Sequence, residues 1–194
     1  MILPISRDKA IELLKKYNSP DVKADWNHFL ESEAIMKGIA LRLGEDPEYL
    51  GMLGLLHDVD WGITKSDINE HLSKAPGILK EAGFDDEFIS IVVSHGYGYN
   101  IPGIEGERQK KIEHALACAE TATGLIHAYA LMRNGKISDM EVKGLKKKFK
   151  DKKFAAAVRR DIIIECEKIG LSLDEFFELS INSVKDIADQ VGLS

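Results

Sequence analysis

Cysteine is nearly absent from this chain: two residues, Cys118 and Cys166, in 194. That excludes a small fold stapled by disulfides, and both thiols, each inside a helical pattern, are expected to be buried and reduced. Long apolar runs are missing too, none reaching the roughly 18 to 20 residues of a membrane span. Positive charge is not in excess. With 26 Lys and Arg against 32 Asp and Glu, the net charge is −6, which argues against broad nucleic-acid affinity because that needs a positive surface to face phosphates. Alternating strand patterns are scarce, and there is no internal repeat or low-complexity linker. The opening Ile2-Leu3-Pro4-Ile5-Ser6-Arg7-Asp8 does not read as a signal peptide, so a cytoplasmic location is expected.

The composition that remains, 44% apolar and 30% charged, is that of an ordinary globular domain. One domain over residues 1–194, large enough to bury a sizeable core, fits the length. Helix signals recur almost throughout. Ser6 caps a first helix to about Tyr17, ended by Asn18-Ser19-Pro20; a second runs from about Asp25 to Leu43 and stops at Gly44. Asp46-Pro47 starts a third, N-cap followed by proline. A polar, turn-rich stretch leads to a helix beginning near Glu70-His71, in which Pro76 implies a first-turn position or a local kink. Asp85 caps the next. A long helix is expected from about Glu107 to Met132, and capping boxes at Ser138/Glu141 and Ser172/Glu175 mark two later starts. The expectation is an all-α bundle of about nine helices, with a core at about 25–130 and a helical extension at about 136–194.

The third helix carries the apolar run Leu50 to Leu56 and ends on His57-Asp58-Val59-Asp60-Trp61. An imidazole and a carboxylate at the edge of a core are costly without partners, and both are good ligands for divalent cations. His28 precedes the pair, His71 and His95 follow it, and Glu120 comes later in Ala117-Cys118-Ala119-Glu120. This order, His28, then Leu-Leu-His57-Asp58, then His71 with Ile78-Leu79, then Val-Ser-His95, resembles the HD-domain superfamily of metal-dependent phosphohydrolases. Residues 123–156 are also similar to a subgroup of small bacterial HD proteins. Two positions depart from the family pattern: the usual HDIG or HDIGK is HDVDW here, and the family's last Asp is Glu120.

The resemblance implies a mostly helical fold and a metal site built from His28, His57, Asp58, His71, His95 and Glu120. It would hold one or two divalent ions (Mn, Mg, Fe, Co, Ni or Zn), with Asp58 able to bridge two. Asp60 and Lys65 stand near the HDIGK glycine and lysine, where an aspartate could orient water or handle a proton and a lysine could hold a phosphate. The implied activity is hydrolysis of a phosphate mono- or diester, nucleotides included, by metal-activated water. The alternatives are a di-iron HD-type oxygenase and a non-catalytic nucleotide-binding sensor. The implied partner is a small phosphorylated molecule or nucleotide, not a membrane or nucleic acid.

On the long helix, His114 lies about 120° round from Glu120, while His127 lies about 20° off its face but roughly 10 Å along the axis. Both are expected to serve packing or the surface, with His114 a reserve ligand. The basic tract Lys146 to Lys153 with Arg159-Arg160 reads as a solvated face, its other reading being a wall for an anionic substrate. Trp61, Tyr97 and Tyr99 are expected at the rim.

Overall fold

In a computed structural model, which describes residues 2–194, the chain is all-helical, with no strand among the described residues. Ten α-helical segments are present: α1 Arg7–Tyr17, α2 Lys23–Leu43, α3 Pro47–Leu56, α4 Trp61–Thr64, α5 Ala75–Glu81, α6 Asp86–Ser94, α7 Lys111–Met132, α8 Val142–Lys150, α9 Arg160–Ile163 and α10 Leu173–Lys185. Two of these are single turns, and short 3-10 segments lie at Ile68–Glu70, Ile164–Ile169 and Ala188–Val191. No helix among the described residues is long and apolar enough to cross a membrane. Both cysteines are buried free thiols.

The caps explain most of the starts. Ser6, Asp46, Asp85 and Ser172 each accept a hydrogen bond from a first-turn amide of the helix they open. Ser172 and Glu175 form the expected reciprocal box. The Ser138/Glu141 box does not form. There the amides of Ile137 and Ser138 bond instead to the carbonyl of Ser194, and α8 begins only after Glu141.

The long helix also starts later than its pattern suggests, at Lys111 instead of Glu107. Arg108 is the reason. Its guanidinium binds Glu165 through two hydrogen bonds and donates to the carbonyls of Ser94 and Tyr97. The chain is thereby held off the helix axis until the Glu113 carboxylate accepts the amides of Gln109 and Lys110.

The region from Glu70 is likewise less helical than expected, because α5 starts only at Ala75, with Pro76 in its first turn. His71 and Leu72 fall in the preceding turn, and Leu72, fully buried, has a left-handed φ of 64°. Such a conformation in a branched residue persists only where its surroundings enforce it.

At the centre, α2 packs along α3 and α7. Glycine makes the first contact close: a Cβ on Gly54 would lie 2.5 Å from the Ser32 carbonyl oxygen. The α3 backbone therefore sits directly on α2, bringing the end of α3 to the side of α2 that bears His28. The C-terminal segments close the other flank, with α9 and the turn after it on α7, and α10 on α2.

Candidate metal centre

His57 follows the last residue of α3 and His95 the last residue of α6. Helix C-termini carry partial negative charge and favour cations, so both ends are suited to hold imidazoles beside a positive ion. His28 comes from α2 and His71 from the turn before α5. All four rings converge on Asp58, whose two oxygens divide them. Asp58 Oδ2 lies 3.6 Å from both His28 Nε2 and His57 Nε2. Asp58 Oδ1 lies 3.4 Å from His71 Nε2 and 3.2 Å from His95 Nε2. Two three-residue sets result, His28-His57-Asp58 and Asp58-His71-His95, each with its ligand atoms within 4.8 Å of one another.

The second nitrogens decide what these rings offer. His57 Nδ1 is 2.8 Å from the Gly54 carbonyl, and His95 Nδ1 is 2.6 Å from the Val92 carbonyl. A carbonyl only accepts, so in the neutral rings both Nδ1 atoms carry the proton and both Nε2 atoms keep a lone pair. His28 Nδ1 meets the Thr123 hydroxyl at 2.8 Å, and that hydroxyl donates to the Glu120 carbonyl at 2.6 Å. The Thr123 oxygen thus accepts from His28, and His28 Nε2 is likewise a lone pair.

Yet His28 Nε2 and His57 Nε2 stand 2.9 Å apart, and His71 Nε2 and His95 Nε2 stand 3.3 Å apart. In the first pair both nitrogens carry lone pairs, which repel at such a distance unless a cation lies between them. The buried atoms Asp58 Oδ1, Asp60 Oδ1 and His71 Nδ1 have no hydrogen-bond partner, which leaves polar atoms at the cluster that a bound ion could help to satisfy. The donor set fits divalent metal.

Electrostatics agree. Burial lowers the pKa of His57 to about 3 and pushes those of His28 and His71 down as well, so these three rings are neutral at physiological pH. For His95 burial also works against charge, but the Asp58 carboxylate 3.2 Å away outweighs it and raises the pKa. Burial alone would raise the pKa of Asp58; the surrounding imidazoles, His57 first, hold it well below the ordinary carboxylate range.

The remaining expected residues lie around this cluster. Asp60 is fully buried; its Oδ2 accepts the amides of Lys74 and Ala75 at the start of α5, and its Oδ1 is 3.8 Å from His71 Nδ1. It therefore anchors the His71 turn. Lys65 pairs with Asp25 at 2.7 Å, three residues before His28.

Glu120 joins neither ligand set. Its Oε1 accepts from Thr121 at 2.5 Å, and burial raises its pKa to about 7. His114 joins neither ligand set either; its Nδ1 is bound to Glu165 at 2.5 Å.

At the rim, Trp61 stands edge-on to His71 and Tyr99 reaches the Thr121 hydroxyl at 3.5 Å. Tyr97 turns away to pack against Gly106. In the basic tract, Arg159 donates to the Gly98 carbonyl beneath Tyr99, whereas Arg160 is consumed by carbonyls of the 149–158 loop.

Several positioning residues are not visible in the sequence. Asn18, buried at the end of α1, donates to the Val59 carbonyl and accepts the Gly62 amide, strapping down the His57–Trp61 segment. Thr123 orients His28, and the Arg108–Glu165 pair fixes the chain around His95. Gly96 follows His95, and a Cβ there would lie 2.6 Å from Leu72 Cδ1. The turns bearing His71 and His95 are thus packed against each other. An asparagine, a threonine or an arginine is unremarkable in one dimension; only the surrounding chain gives it this work.

Comparison with known proteins agrees with this centre. The HD domain family matches residues 25–123, which contain all six candidate ligands. The chain belongs to the HD-domain family, whose members are typically metal-dependent hydrolases. No curated protein and no solved structure matches the chain.

Proposed function

We propose that the protein is a phosphohydrolase that holds two divalent ions and cleaves a phosphate mono- or diester. The observation that carries this reading is the division of Asp58, with one oxygen facing His28 and His57 and the other facing His71 and His95. Bound metal ions would polarise phosphoryl oxygens and lower the pKa of a bound water, making hydroxide available at neutral pH.

The residues of the chain then have distinct tasks. Four imidazoles and Asp58 would hold the charge, and the buried Asp60 anchors the turn that carries His71 by accepting the amides of Lys74 and Ala75. Glu120 keeps Oε2 free of hydrogen bonds within the protein and titrates near neutrality, so it can carry a proton to or from the reacting groups. Lys65 follows the last residue of α4, and exchange of its Asp25 partner for a phosphate would bring it into use.

Four imidazoles to one carboxylate favour Mn, Fe, Co, Ni or Zn over Mg, which prefers oxygen ligands. The same donor set supports the di-iron oxygenase reading, so the test carries both. Protein purified without oxygen is assayed for metals, then screened with phosphate esters under each ion. Metal-dependent phosphate release, lost in Asp58→Ala, is expected. Oxygen consumption by an iron form with no phosphate release would replace hydrolysis by oxygenation, and tight nucleotide binding without turnover would make the protein a sensor.

A further inference from the structure

One surface cavity borders the metal centre at His28. It is a groove of about 300 Å³ between α2 and α7, lined by His28, Glu31, His127, Ala24, Gly124 and Ala128 among others. Two rungs cross it. His28 meets Thr123 at 2.8 Å, and Glu31 meets His127 Nδ1 at 2.5 Å. Both helices advance in the same direction from the first rung to the second, by three residues on α2 and four on α7, which is about 5 to 6 Å of rise. An imidazole therefore stands one helical turn from a candidate metal ligand, in the same groove.

The second rung is not what packing alone calls for. Glu31 is 1% exposed, and burial pushes its pKa up, while the bond to it raises that of His127. An apolar pair would join the two helices without the cost of burying a carboxylate. Glu31 fixes Nδ1 of the ring and leaves Nε2 as the nitrogen not used within the protein; held against this buried carboxylate the ring is favoured in its charged form, in which Nε2 also carries a proton. The His127 side chain remains 22% exposed.

The groove is otherwise apolar and small-sided. From Thr121 to Met132 α7 carries no Asp, Glu, Lys or Arg, although Gly124, Leu131 and Met132 face solvent. Such a surface accommodates a ring or short hydrocarbon body.

We infer that this groove binds the leaving-group end of the substrate, an apolar body ending in an anionic group, with His127 Nε2–H as the donor that anchors the anion. The inference rests on the phosphohydrolase reading, since it places the reacting phosphate at Asp58 and the second anion about one helical turn beyond His28. Ala24, Gly124 and Ala128 leave room for the body between the two. Glu31 is a positioning residue for the ring.

The test uses two non-hydrolysable probes, benzylphosphonate and 4-carboxybenzylphosphonate, titrated calorimetrically into Mn²⁺-loaded protein. The carboxylated probe should bind about tenfold more tightly, the equivalent of one charge-assisted hydrogen bond. His127→Phe should erase that preference while leaving metal content and benzylphosphonate affinity unchanged. Ala128→Leu, at a half-exposed position that tolerates the larger side chain, should weaken both probes by filling the groove. Equal affinities in the wild type, or a preference that survives His127→Phe, would overturn the inference and leave the hydrolase reading standing. Failure of both probes to bind the metal-loaded protein would remove that reading and the inference with it.

Discussion

His28 Nε2 and His57 Nε2 face each other across 2.9 Å, and both rings are turned so that neither nitrogen bears a proton. A second pair of facing imidazole nitrogens, His71 Nε2 and His95 Nε2, stands 3.3 Å apart. Asp58 lies between the two pairs and serves both. A chain that folds into this arrangement has built a receptor for positive charge before any substrate is considered.

Metal stoichiometry should follow the division of ligands. His57→Ala removes one nitrogen from the first set and should lower the ion count by one, leaving the Asp58-His71-His95 set filled. Asp58→Ala removes the shared carboxylate and should abolish both. Elemental analysis after desalting gives the count, and far-UV circular dichroism checks that the helices persist. Equal metal content in the two variants would contradict the shared role of Asp58.

Thr123 should matter to the first ion alone. Thr123→Val keeps the shape but removes the oxygen that accepts His28 Nδ1–H. Loss of such an outer partner typically costs about 10- to 100-fold in metal affinity, and Thr123→Ser should restore it. Competition with a fluorescent chelator measures both affinities; an equal loss at the second ion would show a general loosening instead.

Glu120 gives a pH signature in chelator-treated protein. Burial raises its folded pKa from 4.5 to about 7, so the fold favours the protonated acid. Stability is then lost as pH rises from about 4.5 towards 7, where the unfolded chain ionises and the native one resists. Glu120→Gln mimics the neutral form and should be more stable than wild type above pH 7, by roughly 3 kcal/mol, with the gap closing below the ordinary carboxylate range. Urea titrations across pH measure it. A gap independent of pH would sink the assignment.

Arg108→Met should be the most damaging substitution outside the ligands. It leaves the Glu165 carboxylate and the carbonyls of Ser94 and Tyr97 without their shared donor. Breaking a buried pair from one side costs about 3 to 5 kcal/mol, and the loss should also loosen His95. Denaturant midpoint and affinity at the second ion should fall together. Stability lost with affinity intact would separate the pair from the site.

The sequence carried the fold class and the ligand order because both depend on local signals. Ser6, Asp46, Asp85 and Ser172 announce helix starts through chemistry confined to one turn, and His57-Asp58 marks the end of an apolar run that only a core would bury. What stayed hidden depends on residues far apart in the chain. Arg108 delays α7 through Glu165, 57 positions away, and Ser138 loses its box to Ser194. The division of four imidazoles between two oxygens of one carboxylate is equally invisible, since order along the chain says nothing about which oxygen a ring meets. The Glu31–His127 pair, 96 positions apart, turned a histidine expected to serve packing or the surface into the wall of a groove.

The most direct test of the account is an anomalous-difference map of the Mn²⁺-loaded crystal. The account expects two peaks about 3.5 to 4 Å apart, one beside His28 and His57 and the other beside His71 and His95, with the Asp58 carboxylate between them. A single peak, or two peaks of which Asp58 touches only one, would contradict it.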